Sequence, residues 1–122
     1  PEFVLERISE IMEKEGIKET SKIGLYGLTY KEDVDDIRES PTLQLLACMK
    51  RHLASGVKVY DPYVKSCIAE NQYQDFREFL KDIDMIVIMT GHTHIIGNMD
   101  QIRDKVVLDT RNVYNAENVY RL

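Results

Sequence analysis

The sequence has no tryptophan, two cysteines, three prolines and six glycines in 122 residues. Each scarcity excludes something. Cys48 and Cys67 make neither a disulfide framework nor a zinc set, so a reducing, cytoplasmic setting is expected. No Gly/Ser/Pro-rich stretch separates two halves, so residues 1–122 are expected to form a single domain. No apolar run is longer than that of Met85 to Met89, far short of the ~20 residues of a membrane span. Positive charge is in deficit: 16 Lys and Arg face 21 Asp and Glu, a net charge of −5. Such a balance offers no broad footprint for nucleic acid or anionic lipid, and neither is expected as a partner. No basic region precedes Phe3-Val4-Leu5, which sits among Glu2, Glu6 and Glu10, so no signal peptide is read here.

What remains is ordinary for a globular chain: 43% hydrophobic and 30% charged residues, which argues against disorder. Val4, Leu5, Ile8, Ile11 and Met12 share one face of a helix over residues 2–15, stopped by Gly16. Lys22 to Gly27 reads as a strand. Residues 41–54 read as a helix with Ser40 as N-cap and Pro41 in the first turn; Leu43, Leu46, Ala47 and Leu53 are its expected buried face. Val57 to Tyr60 is a strand, 64–70 a short helix, 72–74 a short edge strand and Asp75 to Lys81 a helix. Met85 to Thr90 is apolar without alternation until its last residue, as in a strand buried on both faces. Residues 94–103 read as a helix, Val106 to Asp109 as a strand, and Asn115 to Leu122 as a last turn or helix.

Strands alternating with helices imply crossover units. The predicted fold is a three-layer α/β/α domain with a mostly parallel, five-stranded Rossmann-like sheet, strand order 3-2-1-4-5, and an added N-terminal helix. Ligands of such sheets sit beyond the carboxyl ends of the strands. The loop after the first strand, residues 28–40, is the feature to weigh there. It is much longer than the usual 2–6 residues, and it holds five carboxylates with Lys31 and Arg38 as the cations. On composition alone it is equally a solvated acidic loop with weak local salt bridges.

Three blocks carry a resemblance: Gly27-Leu28-Thr29-Tyr30-Lys31, then Asp35-Asp36-Ile37-Arg38-Glu39-Ser40-Pro41, then Val57-Lys58-Val59-Tyr60-Asp61-Pro62, followed by Asp109-Thr110-Arg111. In order and spacing the chain resembles the C-terminal, UDP-binding domain of the UDP-glucose/GDP-mannose dehydrogenase family. Thr29 and Tyr30 lean toward its UDP-N-acetylmannosamine branch. The resemblance implies an NAD-dependent sugar-nucleotide 6-dehydrogenase that oxidises a C6 alcohol to a uronic acid for polysaccharide synthesis. It implies NAD bound mainly by a separate N-terminal domain, a central domain with the catalytic Cys, and a full-length homodimer or larger assembly. The chain starts at Pro1, without Met, which fits a cut at a domain boundary. Carried over by position, Tyr30, Lys31 and Arg111 would bind the UDP-sugar and Arg38 would reach the NAD pyrophosphate. Asp36 and Glu39 would orient the cations. No catalytic residue and no metal ligand is expected in this chain.

Other features are weighed beside these. Cys48 lies in an apolar helix and is expected to be buried; Cys67 is expected to be structural. Gly24 to Gly27 lacks the three glycines of a dinucleotide loop, and Asp61-Pro62 is read as a strand end and turn. His92 and His94 are placed at the cleft or at a helix start. Two further classes stay open: a receiver-like regulatory domain using Asp61, and a free-standing nucleotide-binding module. The resemblance predicts that the chain alone will not reduce NAD with any UDP-sugar; measurable NADH formation by the isolated chain would contradict it.

Overall fold

Gly24 and its neighbours show how the molecule is layered. The computed structural model describes residues 2–52, 54–116 and 119–122. Strand β1 (Ile23–Tyr26) is buried at every position. Alternate side chains point to opposite faces of a strand. Ile23 and Leu25 enter one core with Ile8 and Ile11 of helix α1 (Glu2–Glu15) and Leu45 and Met49 of α2 (Pro41–Arg51). Tyr26 enters a second core with Phe79 and Leu80 of α3 (Phe76–Lys81) and Ile95 of α4 (Thr93–Ile96). Strand β4 (Met85–Ile88) repeats the division, Met85 and Val87 to the first core and Ile86 and Ile88 to the second. This is the three-layer arrangement that the alternation of elements predicted.

The remaining strands are β2 (Lys58–Tyr60), β3 (Gln72–Tyr73), β5 (Val106–Asp109) and β6 (Val119–Arg121). The sheet runs β3-β2-β1-β4-β5-β6, and every pair is parallel. It contains the predicted order and adds a sixth strand where a last turn or helix was expected. Val119 packs into the second core and Tyr120 against the first. The Arg121 side chain donates to Asn112 Oδ1 (2.7 Å) and the Tyr114 carbonyl (2.8 Å), fixing β6 beside β5. Arg7 of α1 donates to the Arg121 carbonyl (2.8 Å). Residues 117 and 118 of the expected turn lie outside the described residues, as do Pro1 and Leu53.

Three other elements differ from expectation for local reasons. Helix α2 has its predicted cap, Ser40 Oγ accepting from Leu43 N–H (3.1 Å). Its buried face, however, is Thr42, Leu45, Cys48 and Met49. Leu43 and Leu46 are half-buried and Ala47 is exposed. The Thr42 hydroxyl donates to the Gly27 carbonyl (2.5 Å), and that bond rolls residue 42 toward the sheet. Residues 64–70 form no helix. The Gln72 amide instead accepts from Ile68 and Ala69 N–H (2.8 and 3.2 Å) and donates to Ser66 O (2.9 Å). The expected helix over 94–103 is split into α4 and a 3₁₀ turn, Met99–Ile102. Asn98 Nδ2 takes the His94 carbonyl (2.7 Å) that a continuing helix would bond to the Asn98 backbone. Cys48 is buried as expected, whereas Cys67 is exposed, so Cys67 fills no core.

Gly24 is dictated by the second core. A Cβ there would lie 2.6 Å from Phe79 Cζ and 2.7 Å from Ile83 Cδ1. Both partners are fully buried and have little room to move. Gly24→Ala is expected to destabilise the fold by about 1–3 kcal/mol through overpacking. Urea unfolding midpoints of the two chains measure this; an unchanged midpoint would show that the second core is looser than described.

Candidate functional site

Because all strands are parallel, their carboxyl ends share one edge of the sheet. Four segments meet there: 27–40 after β1, 61–63 after β2, 89–92 after β4 and 110–114 after β5. Non-consecutive neighbours β1 and β4 mark the point where the chain reverses direction across the sheet, the usual ligand position in such folds. In this chain the crevice at that point is filled by its own polar side chains.

Asp61 is the centre of the filling. It is 1% exposed. Its Oδ2 accepts from Leu28 N–H (2.7 Å) and lies 2.9 Å from His92 Nε2; its Oδ1 accepts from Tyr63 N–H (2.8 Å). His92 is also fully buried, and its Nδ1 accepts from Asp33 N–H (2.8 Å). Asp33 in turn takes Thr93 N–H on Oδ1 (2.7 Å) and the Thr93 hydroxyl on Oδ2 (2.5 Å). The Thr90 hydroxyl donates to the Thr29 carbonyl (2.6 Å). Gly27 completes the plug: its φ is +101°, and a Cβ would meet the Thr90 side chain at 2.5 Å. A carboxylate buried this deeply is tolerated because N–H donors satisfy it.

Asp109 plays the same part at the end of β5. It is 2% exposed and accepts from the N–H groups of Arg111, Asn112, Val113 and Tyr114 at 2.7–2.9 Å. That turn aims Arg111 back across the sheet edge. Its Nε donates to the Met89 carbonyl (2.8 Å) and its Nη2 to the Tyr30 carbonyl (3.1 Å). The guanidinium carbon lies 5.8 Å from the Tyr30 ring centroid, within cation–π range.

The sequence-predicted site residues therefore come together. Tyr30, Lys31 and Arg38 line one open cavity of about 530 Å³ with Val34, Asp36 and Glu39. Arg111 is not in its lining; it braces Tyr30 from outside. Tyr30 is half-exposed. Lys31 is exposed and forms no ion pair among the described residues. The Arg38 side chain is 87% exposed and forked onto Asp36, with Nη2 2.7 Å from Oδ2 and Nε 3.0 Å from Oδ1. That side-chain contact, then the Arg38 N–H, holds the Asp36 carboxyl down at about 2; Lys31 adds a smaller attraction. Asp36 thus orients Arg38 as expected, while Glu39 makes no ion pair among the described residues.

Sequence reasoning gives Asp33 and Asp109 no part in the site and reads Asp61 only as a strand end and turn; it places His92 at the cleft or a helix start without its buried partners. Asp61 and Asp109 had a signal: Asp61 directly follows β2 and Asp109 is the last residue of β5, positions where a carboxylate has no water to turn to. The two histidines are at the start of α4, as placed. His92 faces the interior, and His94 Nδ1 is 2.9 Å from the buried Tyr26 hydroxyl.

Residues 24–116 match the UDP-glucose/GDP-mannose dehydrogenase family, UDP binding domain. The chain belongs to that family. Among its relatives is a UDP-N-acetyl-D-mannosamine dehydrogenase of Methanocaldococcus jannaschii, 33% identical over 96% of this chain and 28% of its own length. An NDP-N-acetyl-D-galactosaminuronic acid dehydrogenase of Ralstonia nicotianae is 28% identical over 98% of the chain and 28% of its own. The solved UDP-D-ManNAc dehydrogenase of Pyrococcus horikoshii superposes with a TM-score of 0.78 at 29% identity, over 99% of this chain and 30% of that one. The chain thus spans a little over a quarter of the length of the curated relatives it matches.

The Rossmann-like crevice of this domain is closed. A dinucleotide needs backbone laid open at the first turn and a free acid at the end of β2. Here Gly27 is pressed against Thr90, and Asp61 is consumed by Leu28, Tyr63 and His92. These residues do not fit NAD. Nor does Asp61, with both oxygens bonded and no exposure, suit the phosphoacceptor of a receiver. Among the described residues no three His, Cys, Asp or Glu side chains gather around a metal position, and no helix is long and apolar enough to cross a membrane.

The anchor of the loop has a pH signature. The Thr93 hydroxyl, then its N–H, holds the Asp33 carboxyl below its ordinary 3.8. A depressed carboxylate stabilises the fold above its unfolded pKa, and that contribution is lost as pH falls through its folded value. The 28–40 loop is expected to stay anchored at neutral pH and to loosen below pH 3.8, as Asp33 releases Thr93 and, at about 2, Asp36 releases Arg38. The Thr93 and Arg38 amide shifts followed by NMR report the two steps. A Thr93 midpoint at or above 3.8 would show that the anchor is not made.

Proposed function

We propose that the cavity at residues 30–39 is the substrate-nucleotide site of an NAD-dependent sugar-nucleotide 6-dehydrogenase, of which this chain supplies the UDP-binding domain. The observation that carries the reading is the meeting of Tyr30, Lys31 and Arg38 around one open cavity, with Arg111 braced on Tyr30, within a stretch matching the family's UDP binding domain. A nucleoside diphosphate carries about two negative charges, and Lys and Arg are its natural donors. Lys31, exposed and without an ion-pair partner among the described residues, takes the substrate's diphosphate or sugar. Tyr30 contributes its backbone or ring, and Arg111 faces the nucleotide end. Arg38, preset by Asp36, reaches across to the pyrophosphate of NAD held by a separate N-terminal domain. The catalytic Cys belongs to a central domain outside this chain, and the whole protein is a homodimer or larger.

The substrate is UDP-N-acetylmannosamine, oxidised at C6 to the uronic acid. The names of the Methanocaldococcus and Pyrococcus relatives support that choice over other UDP-sugars. The unpaired Cys48 and Cys67 accord with a reducing cytoplasm.

The test uses the full-length gene product that carries this chain. UDP binding by calorimetry is expected to weaken about tenfold or more in Lys31→Ala, the loss of one charge-assisted contact. Among UDP- and GDP-sugars supplied with NAD, UDP-N-acetylmannosamine is expected to give the highest kcat/KM. Unchanged UDP affinity in Lys31→Ala would remove Lys31 from the site; a higher kcat/KM with another sugar nucleotide would overturn the substrate choice.

A further inference from the structure

One buried residue stands behind the proposed site without lining it. His92 has no exposed surface, and its ring packs edge-on against Tyr63 at 4.8 Å and Tyr26 at 5.9 Å between centroids. Its two nitrogens face opposite demands. The Asp33 N–H donates to Nδ1 (2.8 Å), while the Asp61 carboxylate waits 2.9 Å from Nε2. Only one state of the ring answers both: a neutral imidazole with its proton on Nε2. A proton on Nδ1 would set donor against donor at Asp33.

The consequence falls on Tyr30 and Lys31. The backbone is clamped on both sides of them. On one side the Thr90 hydroxyl holds the Thr29 carbonyl (2.6 Å). On the other, His92 holds the Asp33 N–H while Asp33 sits at φ +60°, a left-handed conformation uncommon outside glycine and one that Asp is among the few residues to tolerate. Between the clamps the Thr29 hydroxyl donates to the Lys31 carbonyl (2.7 Å). Beyond Asp33 the contacts of residues 34–39 differ in kind: Asp36 and Arg38 bond each other across two residues.

We infer that His92 is a positioning residue for nucleotide binding: wedged between Asp61 and the Asp33 N–H, it sets the backbone that presents Tyr30 and Lys31 to a nucleoside diphosphate. This rests on the reading of the cavity as the nucleotide site.

The demands on the two nitrogens allow them to be tested separately in the full-length gene product. In His92→Asn the side-chain oxygen can replace Nδ1 and keep the Asp33 N–H bonded. In His92→Gln the side-chain amide can replace Nε2 and keep the donor to Asp61, but the acceptor for Asp33 is lost. Three readouts are taken on each: UDP affinity by calorimetry, hydrogen exchange at the Asp33 amide, and the thermal midpoint. His92→Gln is expected to weaken UDP about tenfold, since small displacements of positioning groups are costly, and to speed Asp33 exchange. His92→Asn is expected to stay within about threefold of the parent. In steady state the loss should fall on KM for the UDP-sugar and leave kcat within about twofold.

Equal losses in both variants, or parent-like UDP affinity in His92→Gln, would overturn the inference. Should His92→Gln not fold, the parent protein decides: long-range ¹H–¹⁵N spectra must show His92 Nδ1 without a proton, and UDP must slow exchange at Asp33. A protonated Nδ1, or Asp33 exchange unchanged by UDP, would overturn it. The two readings fail differently. A parent protein that does not bind UDP sinks the site, and the inference with it. UDP binding that is weakened by Lys31→Ala and untouched by His92→Gln sinks the inference alone.

Discussion

A carboxylate at the end of a buried parallel strand has nowhere to find water, and the functional edge of this protein is arranged around that constraint. Asp61 directly follows β2 with 1% exposure and is satisfied by two backbone N–H groups and an imidazole drawn from three segments. An unpaired charge at that depth would cost several kcal/mol or more, so the bonds act as a requirement on the loops. Leu28 has to start its loop beside Asp61, and His92 has to point inward. Once His92 is in place its second nitrogen captures Asp33, and the loop after β1 is folded back over the sheet edge. Asp109 applies the same constraint at β5, beyond β1 and β4, and its turn delivers Arg111 to Tyr30.

The plug also separates this domain from the dinucleotide-binding members of its fold class. The same strand order and reversal point are present, yet the backbone at Gly27 is covered by Thr90 and the acid of β2 is spent internally. What is displaced is the cavity: it moves outward, to the flank of the long loop. There Lys31 and Arg38 stand against Asp36 and Glu39. A chain of net charge −5 thus carries two cations, Lys31 and Arg38, on this one loop, with Asp36 aiming Arg38.

Most of the layering could be read along the chain. Unbroken apolar runs at Met85 to Met89 and Val106 to Leu108 mark strands covered on both faces, and Ser40-Pro41 marks a helix start, because these signals are local. Signals of the wrong kind misled where a side chain competes with the backbone. Gln72 unwinds the predicted helix over 64–70, Asn98 splits the one over 94–103, and Thr42 rotates α2 so that Ala47 faces water. Gln72 and Asn98 lie close in the chain to the groups they bond but are not distinctive beforehand, and the Gly27 carbonyl that Thr42 bonds is 15 residues away. Strand β6 is the plainest case. Residues 119–121 become a strand because β5 offers an open edge and Arg121 finds Asn112 and Tyr114.

The linear sequence determined the alternation of elements, the parallel sheet, the family, and Tyr30, Lys31, Arg38 and Arg111 as the residues to watch. The alternation and the sheet follow from periodicity; the family and the four residues follow from the resemblance that a few sequence blocks carry. Tertiary structure alone decided that Arg111 braces Tyr30 instead of lining the cavity, that the reversal point is sealed, and that Asp61, His92 and Asp33 form one chain of hydrogen bonds. Asp33 and Asp61 are 28 residues apart and His92 another 31. Their partnership exists because three parallel strands end at the same edge and bury a charge between them.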